Sequence, residues 1–168
     1  QETLENPEDE GKFRNDDDEI VVLDSVTGEI MHTPPLIKDA KKQLAELCEF
    51  ANKDDEDNFI HPFVKASIIH FCVGYIHPFV DGNGRLARAL FYWYLIKKGY
   101  WMFKYLPISL QIKKKESKPG YYRAFRYVET DENPAPTLDV ITMTTNIFKQ
   151  MYGDENVSFD SEKKKFRV

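Results

Sequence analysis

Cysteine is scarce in this chain, and its scarcity argues against two classes of protein. The 168 residues contain only Cys48 and Cys72, which lie far apart and belong to no C-x-x-C pair. Neither a secreted disulfide scaffold nor a zinc site built on paired cysteines is therefore expected. Because each cysteine has apolar neighbours in a predicted helix, we predict two buried thiols.

Long hydrophobic runs are also missing. The longest apolar run, residues 89–96, is much shorter than the ~20 residues needed to cross a bilayer. No secretory signal is visible, although a chain that begins with glutamine rather than methionine is expected to be a processed or truncated product. The expected location is cytoplasmic, with no membrane partner.

An excess of positive charge is absent as well. The net charge of −5 gives no general attraction for nucleic acid, so no nucleic-acid partner is expected. The chain also lacks the G-x-x-x-x-G-K-S/T loop of Walker-type ATPases. Its length and moderate hydrophobicity suit one compact domain with a real core.

The chain divides into three segments by composition. Residues 1–19 are rich in Asp, Glu and Asn, and we expect them to be mobile unless they dock on a neighbour. The folded domain is predicted over residues 20–152. Residues 153–168 are predicted to form a charged tail.

A β-hairpin is predicted near the N-terminus. Residues 20–23 and 29–33 are two short runs separated by a turn in which Gly28 would adopt a left-handed conformation. We expect this hairpin to be the only β element. The rest of the domain is predicted to be mainly α-helical.

Helical patterns follow the hairpin. After Pro34 and Pro35 a predicted helix has an apolar face formed by Leu36, Ala40, Leu44, Leu47 and Ala51. A second helix is predicted from about residue 61 to 76, with Asn58 as its N-cap and Pro62 in its first turn. Later helices are predicted over residues 117–128 and 138–152.

The densest chemistry lies in residues 77–88, which have the sequence HPFVDGNGRLAR. Gly82 and Gly84 can adopt backbone angles closed to other residues, and without a Cβ they let a phosphate oxygen approach peptide N–H groups closely. A helix begins directly after them and is predicted to end at Gly99; its apolar face carries Leu86, Leu90, Trp93 and Tyr94. The positive end of its dipole points at the same anion, so this loop is predicted to bind phosphate.

The same stretch supplies a base and a carboxylate. Pro78 is expected to restrict His77 to an extended conformation. With an ordinary pKa of about 6.5, a histidine can take a proton from a hydroxyl near neutral pH. Asp81 is the single carboxylate expected to hold Mg²⁺, an ion that favours one or two carboxylates together with substrate phosphates and water. These groups suit an attack on phosphorus.

Two arginines complete the stretch. Arg85 and Arg88 lie three residues apart on one face of the predicted helix, and Tyr92 continues that face. Two guanidinium forks in this position can grip a polyphosphate.

Two other histidines have structural explanations. His61 begins a His-Pro-Phe-Val repeat of the first four motif residues, but no carboxylate, glycine pair or arginine follows it, so catalysis there is not expected. His70 lies inside the most apolar predicted helix and has no zinc-ligand spacing around it. We predict a buried core histidine.

Residues 77–88 fill every specified position of H-P-F-x-D/E-G-N-G-R-x-x-R, the signature of the Fic family, which this chain resembles over roughly residues 20 to 150. The resemblance implies a mainly α fold, a Fic-type helical bundle with one β-hairpin flap near the N-terminus. The flap is expected to pair with an extended segment of a target protein. The expected flap residues are Thr27, Gly28, Glu29, Ile30 and Met31.

The resemblance also implies an activity. It indicates a protein adenylyltransferase, which transfers AMP from Mg·ATP to a Ser, Thr or Tyr hydroxyl of a target protein and releases pyrophosphate. His77 and Asp81 would be the catalytic residues, with Asp81 holding Mg²⁺. The nucleotide is expected to contact Gly82, Asn83, Gly84, Arg85, Arg88 and Tyr122.

Several alternatives stay open at this point. The same site could instead transfer UMP or phosphocholine, or remove AMP from a modified protein with water as the nucleophile, because the base pocket and the flap set the choice. Relatives that move a phosphate carry lysine at the second glycine, and Gly84 argues against that variant. A non-catalytic module that holds an extended peptide at the hairpin edge is a further alternative, against which the presence of both His77 and Asp81 argues.

Regulation is the last property that the resemblance addresses. Many family members carry an inhibitory helix with the motif S/T-x-x-x-E-G/N. Ser25 with Glu29, and Ser158 with Glu162, have the first spacing but lack the final Gly or Asn. Inhibition is therefore expected from an inhibitory partner, from a segment missing from this chain, or not at all.

Overall fold

A computed structural model of the chain describes residues 4, 6–18, 20–23, 28–53, 59–113, 120, 122, 158–160 and 165–167. The fold is mainly helical, as predicted, and the elements follow one another as β1 (Val22–Leu23), β2 (Ile30–His32), α1 (Ile37–Asn52), α2 (Pro62–Ile76), α3 (Asn83–Lys97), α4 (Ile108–Lys113), β3 (Ser158–Asp160) and β4 (Lys165–Arg167). Short 3-10 turns occur at Pro7–Asp9, Asp16–Asp18 and Trp101–Lys104. The helices predicted over residues 117–128 and 138–152 lie largely outside the described residues. In the described part, no helix has both the length and the apolar character that crossing a membrane requires.

The predicted N-terminal hairpin is confirmed. Strands β1 and β2 pair antiparallel, with Val22 opposite His32 and Leu23 opposite Ile30, and the register shifts between the two pairs. Gly28 has a φ of 72°, which is the left-handed conformation predicted for it. Residues 24–27 of the turn lie outside the described residues.

A second antiparallel pair shows that the expectation of a single β element is wrong. Strands β3 and β4 pair within the segment predicted as a charged tail, and Phe159 is the register partner of Phe166. The charge-rich composition concealed one apolar position in the centre of each three-residue strand. Strands this short need only a few residues of alternating character, which composition averaged over sixteen residues does not reveal.

The chain forms two compact units. The first comprises residues 1–55 and 69–91, and its buried apolar residues are Ala40, Leu47, Ile69, Val73, Ile76, Ala87 and Phe91. The second comprises residues 56–68 and 92–168, and the buried apolar residues in its described part are Phe63, Val64, Ala66, Tyr94, Leu95, Phe103 and Ile108. The motif at residues 77–88 lies entirely within the first unit.

Helix α1 buries the centre of its predicted face. Ala40 and Leu47 are buried, whereas Leu36 lies just before the helix and is 64% exposed. The prediction of two buried thiols is wrong, because Cys48 on the same helix is exposed and Cys72 on α2 is only half-buried. Cys48 follows Leu47 directly, and one step of 100° along a helix is enough to turn a side chain away from the core.

Helix α3 buries a different face from the one predicted. The buried positions are Ala87, Phe91, Tyr94 and Leu95, whereas Trp93 is 51% exposed. The i, i+4, i+7, i+8 spacing is the predicted one, but the whole pattern is displaced by one residue toward the C-terminus, so that Tyr94 alone belongs to both sets. Because α3 is apolar around most of its circumference, periodicity alone could not select the face.

The ends of α2 and α3 follow from local chemistry. Pro62 is the first residue of α2, as predicted, but the proposed cap Asn58 lies outside the described residues. The Phe63 N–H instead donates to Nδ1 of His61 at 3.2 Å, so a histidine ring takes the capping role. Beyond α3, Gly99 has a φ of 91°, and the N–H of Tyr100 donates to the Leu95 carbonyl at 2.9 Å. This is the Schellman geometry expected of a C-terminal glycine.

Two polar contacts organise the second unit near α4. The Tyr92 hydroxyl donates to the carbonyl of Leu106 and accepts from the N–H of Ile108, each at 2.7 Å. Both of these hydrogen bonds therefore stabilise the start of α4. Tyr92 extends the arginine face of α3 in sequence, but its polar atom has a structural partner.

Candidate active site

The motif begins in a tight connection between α2 and α3. Pro78 is fully buried, and the Phe79 ring stacks on Phe13 with ring centroids 5.4 Å apart and planes within 6°. Asn83, the first residue of α3, is also buried. Its Oδ1 accepts from the Phe79 N–H at 3.0 Å, and its Nδ2 donates to the Phe79 carbonyl at 2.7 Å. The Asn83 side chain thus closes the loop, a role that the motif pattern did not indicate.

His77 has a backbone conformation opposite to the predicted one. Its φ is 47°, in the left-handed region, whereas the residue before proline was expected to be extended. Two hydrogen bonds account for the difference. The His77 N–H continues the last turn of α2 by donating to the Val73 carbonyl at 3.1 Å, and the His77 carbonyl accepts from Nε of Arg14 at 2.7 Å. Tertiary contacts therefore override the local preference at this residue.

The imidazole of His77 is held in one tautomer. Its Nδ1 lies 2.9 Å from the Gly74 carbonyl, and because a carbonyl oxygen can only accept, Nδ1 must carry the proton. In the neutral ring Nε2 is then the basic nitrogen. Burial lowers the pKa of His77, and His32 and Arg14 lower it further, while the hydrogen bond to Gly74 acts in the opposite direction. The ring is therefore neutral, and able to act as a base, near pH 7.

Asp81 and Arg85 form an ion pair at the mouth of the loop. Arg85 Nη2 lies 2.7 Å from Asp81 Oδ2, and Asp81 Oδ1 accepts from the N–H of Gly82. The two side chains are 34% and 50% exposed, respectively. An exposed pair of this kind contributes about 0–1 kcal/mol, so its partners can exchange at little cost when another charged group arrives.

The start of α3 presents backbone donors that have no partner within the helix. The first intrahelical hydrogen bond runs from the Leu86 N–H to the Gly82 carbonyl at 2.9 Å, so the N–H groups of residues 83–85 precede the ladder. Together with the helix dipole, these groups favour an anion at this end.

The two glycines serve different purposes. Gly82 has a φ of 87°, a conformation that other residues adopt at a cost. Gly84 has no such angle, so the prediction of a special backbone angle there is wrong. It is instead the second residue of α3, and a Cβ there would lie 3.3 Å from Nη1 of Arg88. The missing side chain leaves room for the guanidinium group.

Arg88 approaches Gly84 at the start of α3, and its charge also acts on a buried histidine. Its guanidinium group forms no hydrogen bond or ion pair with the residues that the structure describes. His70 is only 5% exposed, as predicted for a core histidine, and its ring packs edge-on against Phe91. Burial, with a smaller contribution from the charge of Arg88, lowers the pKa of His70 to about 4. His70 is therefore neutral near pH 7, and the permanent charge of Arg88 favours that neutral form.

The acidic N-terminal segment is docked in part. Arg14 is 5% exposed, and three of its N–H groups, two from the side chain and one from the backbone, donate to the carbonyls of His77, Pro35 and Pro78. Residues 1–19 are expected to be mobile unless they dock on a neighbour, and Phe13 and Arg14 form such a docked segment. A single aromatic and a single arginine within an acidic run were the only signals that could have indicated it.

The predicted flap residues are described only in part. Gly28, Glu29 and Ile30 are exposed, Met31 is half-buried, and Thr27 lies outside the described residues. The hairpin is tied to α2 through His32, whose Nε2 lies 2.6 Å from the Tyr75 carbonyl and whose ring packs on the ring of Tyr75. Tyr122 belongs to the second unit and is half-buried, so its predicted contact with the nucleotide stays a prediction.

Comparison with protein families decides the classification. The model of the Fic/DOC family matches residues 1–95, more than half of the chain. The chain belongs to the Fic/DOC family. The match includes the docked segment around Arg14 and the complete motif at residues 77–88, and it ends within α3.

Curated relatives of this Fic/DOC chain share only a segment with it. The protein adenylyltransferase Fic of Nematostella vectensis is 38% identical over 69 residues, which is 41% of this chain and 16% of that protein. The protein adenylyltransferase fic-1 of Caenorhabditis briggsae is 34% identical over 90 residues, which is 54% of this chain and again 16% of the relative. The matched part is thus a small portion of each relative.

A solved structure supports the fold. The crystal structure of a Fic family protein from Desulfovibrio desulfuricans G20 matches with a TM-score of 0.53 and 26% identity. The match covers 76% of this chain and 38% of that one. The mainly α architecture with an N-terminal hairpin is therefore confirmed as that of a Fic protein.

Proposed function

We propose that this chain is a protein adenylyltransferase that moves AMP from Mg·ATP onto a hydroxyl side chain of a target protein. The observation that carries the proposal is the tautomer of His77. The hydrogen bond from Nδ1 to the Gly74 carbonyl leaves Nε2 as a neutral base beside a loop rich in anion-binding donors. The relatives named as protein adenylyltransferases support the same assignment.

The start of α3 would hold the phosphates. The N–H groups of residues 83–85 and the guanidinium group of Arg88 are the donors for the triphosphate. Arg85 would leave Asp81 and bind a second phosphate oxygen, an exchange that is cheap because the present ion pair is exposed. Asn83 contributes through its backbone, since its side chain is occupied by Phe79.

Asp81 fits the requirements of a Mg²⁺ ligand. Its carboxylate lies at the entrance of the loop, is a third exposed, and already accepts a backbone N–H that fixes its orientation. Mg²⁺ would take the place of Arg85 at Oδ2, since this ion commonly binds one carboxylate together with phosphates and water. The bound ion would neutralise charge on the phosphate oxygens during the reaction.

The transfer step then requires only positioning and one proton acceptor. Nε2 of His77 accepts the proton of the target hydroxyl as its oxygen attacks the α-phosphorus. A P–O bond forms to the target, the bond between the α-phosphorus and the bridging oxygen to the β-phosphate breaks, and pyrophosphate leaves. The backbone donors and Arg88 stabilise the charge that accumulates on the leaving phosphates.

The hairpin β1–β2 would present the target. It is a two-stranded sheet whose outward residues include Leu23 and Ile30, which are 52% and 63% exposed. An extended segment of the target can add a strand to such an edge, with main-chain hydrogen bonds fixing its register. The hydrogen bond between His32 and the Tyr75 carbonyl would hold this strand edge in a fixed position as the target binds.

Removal of the base tests the proposal. The His77→Ala variant, incubated with labelled ATP and cell extract, should bind ATP like the wild type but transfer label on the order of 10²- to 10⁴-fold more slowly. The matched control is His61→Asn, which alters the same His-Pro-Phe-Val sequence and keeps a side chain suited to capping α2. Undiminished labelling by His77→Ala would refute the assignment of the base.

Intact-mass analysis separates the related reactions. Incubation with ATP, with UTP and with a previously AMPylated protein should give a gain of AMP only with ATP. A gain of UMP, or loss of AMP from the modified protein, would assign a different reaction to the same site. Peptide binding without any transfer would indicate the non-catalytic module.

A further inference from the structure

Arg14 is an unusual residue for a segment of acidic composition. It is one of few cations between residues 1 and 19, and its side chain is buried although the acidic residues around it are mostly exposed. Burying a guanidinium group is costly unless its donors are satisfied. Within the described residues, no carboxylate pairs with Arg14. Its partners are main-chain carbonyls instead.

Those carbonyls belong to the motif loop and to the chain leaving the hairpin. Nε donates to the His77 carbonyl at 2.7 Å, the backbone N–H donates to the Pro78 carbonyl at 3.1 Å, and Nη2 donates to the Pro35 carbonyl. Two consecutive peptide groups of the motif are therefore held by one residue. The stack of Phe13 on Phe79 holds the same segment in place.

The backbone conformation of His77 shows what the hydrogen bonds of Arg14 stabilise. A φ of 47° is disfavoured for a residue with a Cβ, and Pro78 adds a local preference for extended backbone. Helix α2 holds the N–H and the ring of His77 through Val73 and Gly74. On the carboxyl side of His77, the Arg14 hydrogen bonds oppose relaxation toward the extended form, which would pull the ring away from Gly74.

We propose that Arg14 is a positioning residue for His77, which through the main chain keeps the imidazole in its left-handed, Gly74-bonded orientation. This role deepens the proposed function, because it concerns the base of the same reaction. The charge of Arg14 also contributes to the lowered pKa of His77, together with burial and His32 and against the Gly74 hydrogen bond. The hydrogen bonds of Arg14 thus orient the ring of His77, while its charge favours the neutral form of that ring.

Three variants separate positioning from general anchoring. Arg14→Gln removes the charge and the guanidinium fork. Arg14→Lys keeps the charge but replaces the rigid fork, whose Nε and Nη2 reach two separate carbonyls, by a single ammonium group. Lys12→Gln removes a charge at a neighbouring exposed position. The measurements are the kcat and KM for ATP in AMP transfer, and the pKa and tautomer of His77 from NMR titration of the ring. With four histidines in the chain, the His77→Ala spectrum assigns the signal.

The expected results differ between the variants. Arg14→Gln should lower kcat by about 10- to 100-fold while changing the KM for ATP by less than about twofold. Removal of the Arg14 charge acts to raise the pKa of His77, and the ring should lose its preference for a proton on Nδ1. Arg14→Lys should lower kcat and disturb the tautomer while leaving the pKa lowered. Lys12→Gln should match the wild type.

Two outcomes would overturn the role of Arg14. One is a wild-type kcat, pKa and tautomer of His77 in Arg14→Gln. The other, decisive if that variant does not fold, is a folded Arg14→Lys protein with wild-type kcat and tautomer. If the wild type transfers no AMP at all, the proposed function fails, and the NMR titration of the variants alone then decides whether Arg14 orients His77.

Discussion

The buried His70 makes the stability of this chain depend on pH in a way that can be calculated. Burial and the charge of Arg88 lower the pKa of His70 from its ordinary value of 6.5 to about 4 in the folded chain. The unfolded chain therefore binds a proton at a pH where the folded chain does not. Stability is fully present above the unfolded pKa and is lost as pH falls from 6.5 toward 4.

The size of the loss follows from the two values. A difference of 2.5 pH units corresponds to about 3 kcal/mol in total at 1.36 kcal/mol per unit. Between about pH 7 and pH 5, the calculated share is about 2 kcal/mol. That is a large fraction of the 5–15 kcal/mol that stabilises an ordinary domain. At 5% exposure, the side chain is too deeply buried for solvent to reduce the effect much.

Urea unfolding followed by circular dichroism at pH 7, 6 and 5 measures this loss. The wild type should lose about 2 kcal/mol more than His70→Gln over that interval, because glutamine is polar but cannot be protonated. The control is Ile69→Val, a truncation at the adjacent buried position, which should cost about 0.5–1.5 kcal/mol equally at every pH. The same pH dependence in wild type and His70→Gln would refute the assignment of a neutral, buried His70.

Two further predictions concern the loop. Asn83→Ala removes both hydrogen bonds to the Phe79 backbone and should lower the free energy of unfolding by about 1–3 kcal/mol in urea titrations; an unchanged midpoint would show that the loop does not depend on this amide. Gly84→Ala should hold or raise stability, since alanine favours helices by up to about 1 kcal/mol. Its Cβ would lie 3.3 Å from Arg88 Nη1, so the Kd for ATP measured by calorimetry should rise about tenfold if Arg88 binds phosphate, and an unchanged Kd would contradict that role.

Local chemistry predicted much of the fold. The left-handed Gly28, the start of α2 at Pro62 and the glycine end of α3 at Gly99 each depend on a few neighbouring residues, and all three are confirmed. The position of the motif between two helices follows from the same kind of information. Such predictions hold because the backbone requirements of turns and caps are set by residues within about one helical turn.

Long-range contacts account for what could not be predicted. The hydrogen bond from Arg14 to the His77 carbonyl joins residues 63 positions apart, and no periodicity in the sequence indicates it. The left-handed angle of His77 opposes the preference that Pro78 imposes locally, so only the folded environment could produce it. The predictions of a buried Cys48 and of the buried face of α3 were wrong for another reason. Apolar neighbours on a helix do not specify which side is buried.

The proposed reaction moves the α-phosphate of ATP, with its nucleoside, to a protein. The direct test incubates wild type and His77→Ala with cell extract and with ATP labelled either at the α-phosphate or at the γ-phosphate. Wild-type protein should place the α-label on a protein band and leave the γ-label in pyrophosphate. With His77→Ala, neither product should form at a comparable rate. Protein labelled from the γ-phosphate, or α-labelling equal to that of His77→Ala, would contradict the account.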